Sequence, residues 1–400
     1  MKALDYFMKY CKIETTSDEK SKTCPSTKGQ LLLANEIKKD MVALGFKPII
    51  DDNGYLYLHI IGNAKGIPFG LCCHFDTSCD VSGKDCKPNI ILKYDGSDII
   101  LKDNIVINPT IYNHLSRFIG DDIITTDGTT LLGADDKAGI AQIMGFFSFL
   151  AETPNFLHPD LYICLTPDEE IGRGVDKINL NLFNVQYAYT IDSGIVGSID
   201  YECFNAAGAL VKIKGKAIHP GSAKGLMVNA CELAYRFHES LPKNMKPEFT
   251  SGYEGFNHLC EMTGEVEQAS LRYIIRNHDR KKFELQKKSF EKIAKEINKD
   301  YSNSVKVIIK DSYYNMYDKI KEDFFVVENA IKAMESLNIT PYISPIRGGT
   351  DGARLSYLGI LTPNLGTGAI NFHSRAEVLS INQLNLGVEL LKEITKNYLR

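Results

Sequence analysis

The chain has 400 residues, 44% of them hydrophobic and 24% charged, with 46 Lys plus Arg against 50 Asp plus Glu for a formal net charge of −4. This is globular composition with room for more than one core, and its mixed, slightly acidic charge excludes the basic field that nucleic acid or an anionic membrane needs. The ten cysteines are scattered without a C-x-x-C pair, which predicts reduced thiols and a cytoplasmic protein. The opening MKALDYFMKYCKIETT lacks the apolar stretch of a secretory signal. IMGFFSFLA, among the longest apolar runs, is too short to cross a bilayer.

In chain order, Leu33, Ile37, Met41 and Leu44 recur at helical spacing and Gly45 stops that helix. YLYLHII and IPFGLCC read as strands. Ile140, Ile143, Met144 and Phe147 predict a helix beginning just after GADDKAG, and DLYICLT and YAYTID are further apolar strands. Buried strands alternating with helices argue for an α/β domain with a mostly parallel central sheet flanked by helices. Near Ala206 the texture changes: ALVKIKGKA alternates apolar residues with Lys, as a sheet with one solvated face requires. A helix around Cys231 to His238, the strand SLRYIIR and a Lys-rich helix from Arg280 to Lys299 follow. The expected organisation is a discontinuous α/β domain, 1–205 and 321–400, carrying an inserted α+β domain at 206–320.

Chemistry gathers where the predicted strands end. His74-Phe-Asp76, Gly133-Ala-Asp-Asp136, Pro167-Asp-Glu-Glu170 and Ile191-Asp192 lie there, and His373 in INFHSRAE follows another apolar segment. His74 and Asp76, two apart in an extended chain, point to one face. Ligands of open α/β sheets collect outside the carboxyl ends of the strands. Carboxylates crowded there repel one another unless a cation neutralises them. The donor set suits two zinc ions, which take imidazole nitrogen and carboxylate oxygen and can share a bridging carboxylate when about 3.5–4 Å apart. Two histidines, two terminal carboxylates and one bridge suffice.

The set H-x-D, G-A-D-D-K-A-G, P-D-E-E-x-G, T-x-D and a late histidine before S-x-x-E resembles the dinuclear zinc peptidases related to aminoacylase and carboxypeptidase G. The segments DTSCDVSGKDCKPNI, LTPDEEIGRG, HPGSAKGLMVNA, YIIRNHDRKKFE and PIRGGTDGA narrow the likeness to the tripeptide aminopeptidases of that family. The resemblance implies His74, Asp135, Glu170, Asp192 and His373 as ligands of two zinc ions per subunit, with Asp135 bridging. It implies that Asp76 orients His74 by accepting from its other ring nitrogen, and that Glu169 is the general base that takes a proton from a shared water and delivers it to the leaving amine. His219, on an inserted domain serving dimerisation and as a lid, becomes an oxyanion donor reaching from the neighbouring subunit of a homodimer. Arg276, Arg347 and Arg354 become candidates for gripping the carboxylate of a tripeptide substrate.

Each fragment alone has a plainer reading: GADDKAG as a helix start, PDEEIG as an acidic turn, His219 as a turn residue beside Pro-Gly. A related dizinc dipeptidase or carboxypeptidase would share the ligands, and a binding module of the same fold would lack the base that Glu169 supplies. TTDGTTLLGADD has the look of aspartate-based phosphoryl transfer, but Thr125 stands where that chemistry needs an aspartate.

Overall fold

Phe69–His74 is buried at every position and forms the centre of a seven-stranded sheet. The computed structural model describes residues 1–400. No polar side chain interrupts this run before His74, as a strand covered on both faces requires. It pairs in parallel with Leu161–Thr166 on one side and Tyr187–Ser193 on the other, and Asn364–Gly366 extends the parallel set. The edges run antiparallel: Leu56–Ile60 and Ile49–Ile50 at one end, Ile199–Asp200 at the other. The helices Ala3–Tyr10, Ala134–Glu152 and Ile381–Asn397 pack against one another in the same unit.

The helix expected after GADDKAG begins inside it, at Ala134, behind a left-handed Gly133 at φ 75°. Asp135 and Asp136 depart from helical dihedrals, so this acidic pair stands at the helix mouth rather than on its barrel. A second sheet was not legible in the periodicity: Ala369–Ile370, Val378–Ser380, Ile123–Thr125 and Asn89–Ile91, all antiparallel. His373 lies in the connection between its first two strands.

Two compact units divide the chain, Met1–Tyr201 with Asp318–Ser344 and Thr350–Arg400, and Glu202–Tyr317 with Pro345–Gly349. These limits differ from 206 and 320. The Cys203 N–H donates to Asn315 Oδ1 at 3.0 Å, tying the two ends of the second unit together outside its strands. Pro345–Gly349 joins it because Ile346 bridges Cys203 and its carbonyl accepts from His278 Nε2 at 3.1 Å. This unit is a four-stranded antiparallel sheet in the order Phe256–Gly264, Gln268–Asn277, Asn205–Lys214, Val305–Tyr313. Ala230–Glu239 and Arg280–Asp300 bury Phe237 and Phe290 with Val211, Leu271 and Ile275, leaving Lys212 and Lys214 exposed. All ten cysteines are unpaired.

Candidate metal centre

After Phe69–His74 the chain crosses by the helix Ala134–Glu152 to Leu161–Thr166 on one side, then returns to Tyr187–Ser193 on the other. The order reverses at the central strand, and crevices form at such points. Three groups of candidates stand at these carboxyl ends: His74, the turn holding Glu169 and Glu170, and Asp192. Asp135 enters from the helix mouth, His373 from the second sheet.

Asp135 lies between the two imidazoles. Its Oδ1 is 2.9 Å from His74 Nε2 and its Oδ2 is 3.3 Å from His373 Nε2. Asp192 Oδ1 approaches His74 Nε2 at 3.6 Å, and Glu170 Oε2 approaches His373 Nε2 at 2.9 Å. His74 Nδ1 faces the Asp76 carbonyl at 3.0 Å, so Nε2 is the nitrogen left for a ligand. Ligand atoms of His74, Asp135 and Glu170 lie within 4.8 Å of one another, as do those of His74, Asp136 and Asp192.

The electrostatics fit a cation. Burial, then the Asp135 charge, pushes both Glu170 and Asp192 up to about 7. Burial also raises Asp135, but hydrogen bonds from His373 and His74 outweigh it and hold the carboxyl below its ordinary value. Hydrogen bonds to Asp135 and Glu170 lift His373 to about 11. Glu169 is pushed well up by burial and then by Asp192. Glu170 Oε1 and Asp136 Oδ1 are buried without a hydrogen-bond partner, and unpaired carboxylate oxygens in a dry site are costly. Oxygen and imidazole donors with two such orphans suit a divalent transition-metal ion.

The residues around this cluster hold it in shape. The Asp76 carboxylate is 3.3 Å from His74 Nδ1, behind the carbonyl of its own residue, and its principal donors are the N–H groups of Glu169 and Glu170, each at 3.0 Å. Its expected role on His74 is thus shared with its backbone, and it acquires a second one on the glutamate turn. Asp168 binds Gln30 Nε2 at 2.7 Å and Ser26 Oγ at 2.5 Å, anchoring the same turn from below. Asp136 Oδ2 accepts the His74 N–H at 3.2 Å, and Asp80 Oδ2 lies 3.3 Å from His373 Nδ1. Glu377, 1% exposed, accepts the N–H groups of Leu132, Gly133 and Asp135. Sequence reasoning assigns no role to Asp136, Asp80 or Glu377, although Asp136 stands in one of the clusters it names, Glu377 closes the S-x-x-E after the late histidine, and Asp80 lies in DTSCD.

Of the remaining candidates, three belong to the second unit and Arg354 to the first. His219 caps a short turn in the second unit, its Nδ1 accepting the Gly221 N–H at 3.1 Å. Arg276 Nη1 donates to the carbonyls of Ile275 and Ala207, and its guanidinium lies 5.6 Å from the centroid of the Tyr313 ring. Arg347 donates to Gly252 O, Glu254 O and Thr250 Oγ1 at 2.8–3.0 Å. Arg354 donates to Gly172 O at 2.9 Å and Asp176 Oδ1 at 2.5 Å, within the metal-site unit.

A family profile described as a peptidase dimerisation domain matches residues 201–302. The chain is 46% identical to peptidase T of Bacillus velezensis over 98% of its length and 97% of the relative's. It is 47% identical to peptidase T of Brevibacillus brevis, covering 99% and 98%. Its fold resembles the crystal structure of aminopeptidase PepT from Bacillus cereus, with TM-score 0.79 at 23% identity over 99% and 98% of the two chains. A dinuclear metal-binding peptidase of the M20 family from Bacillus subtilis gives TM-score 0.68 at 13% identity, over 98% of this chain and 96% of its own.

Proposed function

The chain belongs to the peptidase T family, and from that premise we propose that it releases the N-terminal residue of tripeptides with two zinc ions and Glu169 as general base. The observation that carries this reading is the Asp135 carboxylate turned with one oxygen to each of two histidines, Glu170 and Asp192 beside them. His74, Asp192 and one Asp135 oxygen would hold one ion; His373, Glu170 and the other oxygen would hold the second. Such a pair supplies Lewis acidity and a water acidified toward neutrality.

The chain's own groups do the rest. Glu169, adjacent to a ligand and in a site that disfavours its charge, accepts the proton of the attacking water and passes it to the departing amine. Asp76 fixes the turn from which Glu169 and Glu170 project. His219 is the proposed donor to the tetrahedral oxyanion: with Nδ1 accepting from Gly221, the ring keeps its proton on Nε2, the nitrogen then free to donate. Arg276 is the proposed partner of the substrate carboxylate. The profile match over the second unit supports a homodimer. No helix is long and apolar enough to cross a membrane; a cytoplasmic location is proposed from the ten scattered, unpaired cysteines.

Purified protein should carry close to two equivalents of zinc per chain and cleave tripeptides with a free amino end, losing activity on chelation. Dipeptides cleaved in preference would move it to the dipeptidases, and release of the C-terminal residue first to the carboxypeptidases. Full activity in the presence of a chelator would end the metal-dependent reading.

A further inference from the structure

Glu377 is a fully enclosed carboxylate with no positively charged hydrogen-bond partner; its oxygens are met by backbone amides alone. Oε2 accepts the N–H of Leu132 and of Gly133, each at 2.8 Å, and Oε1 accepts the N–H of Asp135 at 3.1 Å. These three amides belong to the loop that ends in Asp135, the proposed bridging ligand, and Gly133 within it is left-handed. Glu377 itself sits four residues beyond His373, in the segment leading into Val378–Ser380, which is paired to Ile123–Thr125. One stretch of chain thus presents His373 directly and grips Asp135 by its backbone.

We infer that Glu377 is a positioning residue that sets the Asp135 carboxylate between His74 and His373, and so sets metal affinity and turnover. The inference rests on the assignment of Asp135 as a metal ligand. Three donors on two oxygens match a group that only accepts, which an ionised carboxylate does and a protonated or amidated one does not. A glutamine can keep the Leu132 and Gly133 bonds through its carbonyl, but its NH2 then faces the Asp135 N–H, donor against donor. The mismatch falls on the residue that must hold still between the two imidazoles. Reversing the amide would create two such conflicts in place of one.

The test compares Glu377→Gln, Glu377→Asp and Asp135→Asn with the parent chain. Zinc affinity is measured by chelator competition, the cobalt-substituted absorption spectrum is recorded, and kcat and KM for a tripeptide are taken at saturating metal. E377Q is expected to bind zinc about 10–100-fold more weakly, to alter the cobalt spectrum, and to lose kcat with little change in KM. E377D, which keeps the charge but withdraws it by one methylene, should fall between E377Q and the parent. Unchanged zinc affinity and spectrum in folded E377Q, or loss of the fold in both Glu377 variants, would assign the residue to folding alone and overturn the inference. If D135N binds zinc as the parent does, the ligand assignment itself is wrong; a D135N defect with a normal E377Q overturns only the role given to Glu377.

Discussion

The Asp76 carboxylate accepts the backbone N–H of Glu169 at 3.0 Å while standing 3.3 Å from the His74 ring. It therefore ties the proposed base to a proposed ligand through a single buried group. Asp76→Asn keeps the volume but offers one acceptor where the Glu169 and Glu170 amides need two. The expected result is a roughly 10–100-fold loss of metal affinity or activity, the range for residues that orient metal ligands, with the fold retained. Metal titration and steady-state kinetics on tripeptides check it; a variant with parental values for both would deny Asp76 this role.

Glu169→Gln separates proton transfer from metal binding. Glu169 neighbours the ligand set without being assigned to it, so the variant should keep its metal content and melting temperature. Loss of a general base costs about 10²–10⁴-fold in rate, and kcat is expected to fall by that amount. Elemental analysis alongside kcat decides: lost metal would make Glu169 a ligand, and retained turnover would move the base elsewhere.

The pH dependence of stability should differ in sign with and without metal. Unfolded carboxyls titrate near about 4, whereas Glu170 and Asp192 are raised to about 7 in the folded chain without metal. Between those values the folded state holds protons that the unfolded state has released, so metal-free stability falls as pH rises. His373, raised to about 11, continues the trend: its contribution is complete below about 6.5 and is lost as pH climbs through the folded value. Zinc held by these proposed ligands would displace the same protons, so its binding should strengthen with pH. The rise in melting temperature on adding zinc should be small near about pH 5.5 and grow toward about pH 8. At a free-ion concentration about 100 times Kd the stabilisation is about 2.7 kcal/mol. Calorimetry at several pH values reads this directly, and a zinc-induced shift that shrinks with rising pH would contradict it.

Much of this site was legible because the parallel strands announce themselves. An unbroken apolar run must end where its first polar side chain emerges, which placed His74, the Asp-Glu-Glu turn and Asp192 at one rim. Glu377 was legible as the end of the S-x-x-E after His373, but its role was not: it carries no periodicity, and its partners are amides more than 240 positions away in sequence. The sheet that positions it is built from strands of two or three residues, too short to show alternation. Pro345–Gly349 escaped for a similar reason, since its attachment is a backbone bridge and one histidine bond. The arginines were legible as a residue type but not in their partners. An arginine's type advertises a carboxylate partner, and Arg354 has one in Asp176, but Arg347 and the other Arg354 donor meet carbonyls that no sequence pattern marks.

Those arginines supply a further test, because their partners assign them different consequences. Arg354→Ala removes bonds to Gly172 and Asp176 in the turn that follows Glu170. It should lower stability by about 1 kcal/mol, the usual net worth of such bonds, with KM near the parental value. Arg347→Ala frees the carbonyls of Gly252 and Glu254 and the Thr250 hydroxyl together, so its loss of melting temperature should be the larger of the two. Arg276→Ala, which also removes bonds to two carbonyls, should lower the melting temperature about as far as R354A does, and unlike R354A it should raise KM. A charge-assisted bond to a substrate carboxylate is worth about 1.5–3 kcal/mol, or roughly 10–100-fold at 1.4 kcal/mol per decade. A tripeptide amide, which lacks that carboxylate, serves as the control. For R276A the ratio of KM values between amide and acid should collapse toward one. A ratio that stays parental in R276A but collapses in R347A or R354A would transfer the substrate contact to that residue.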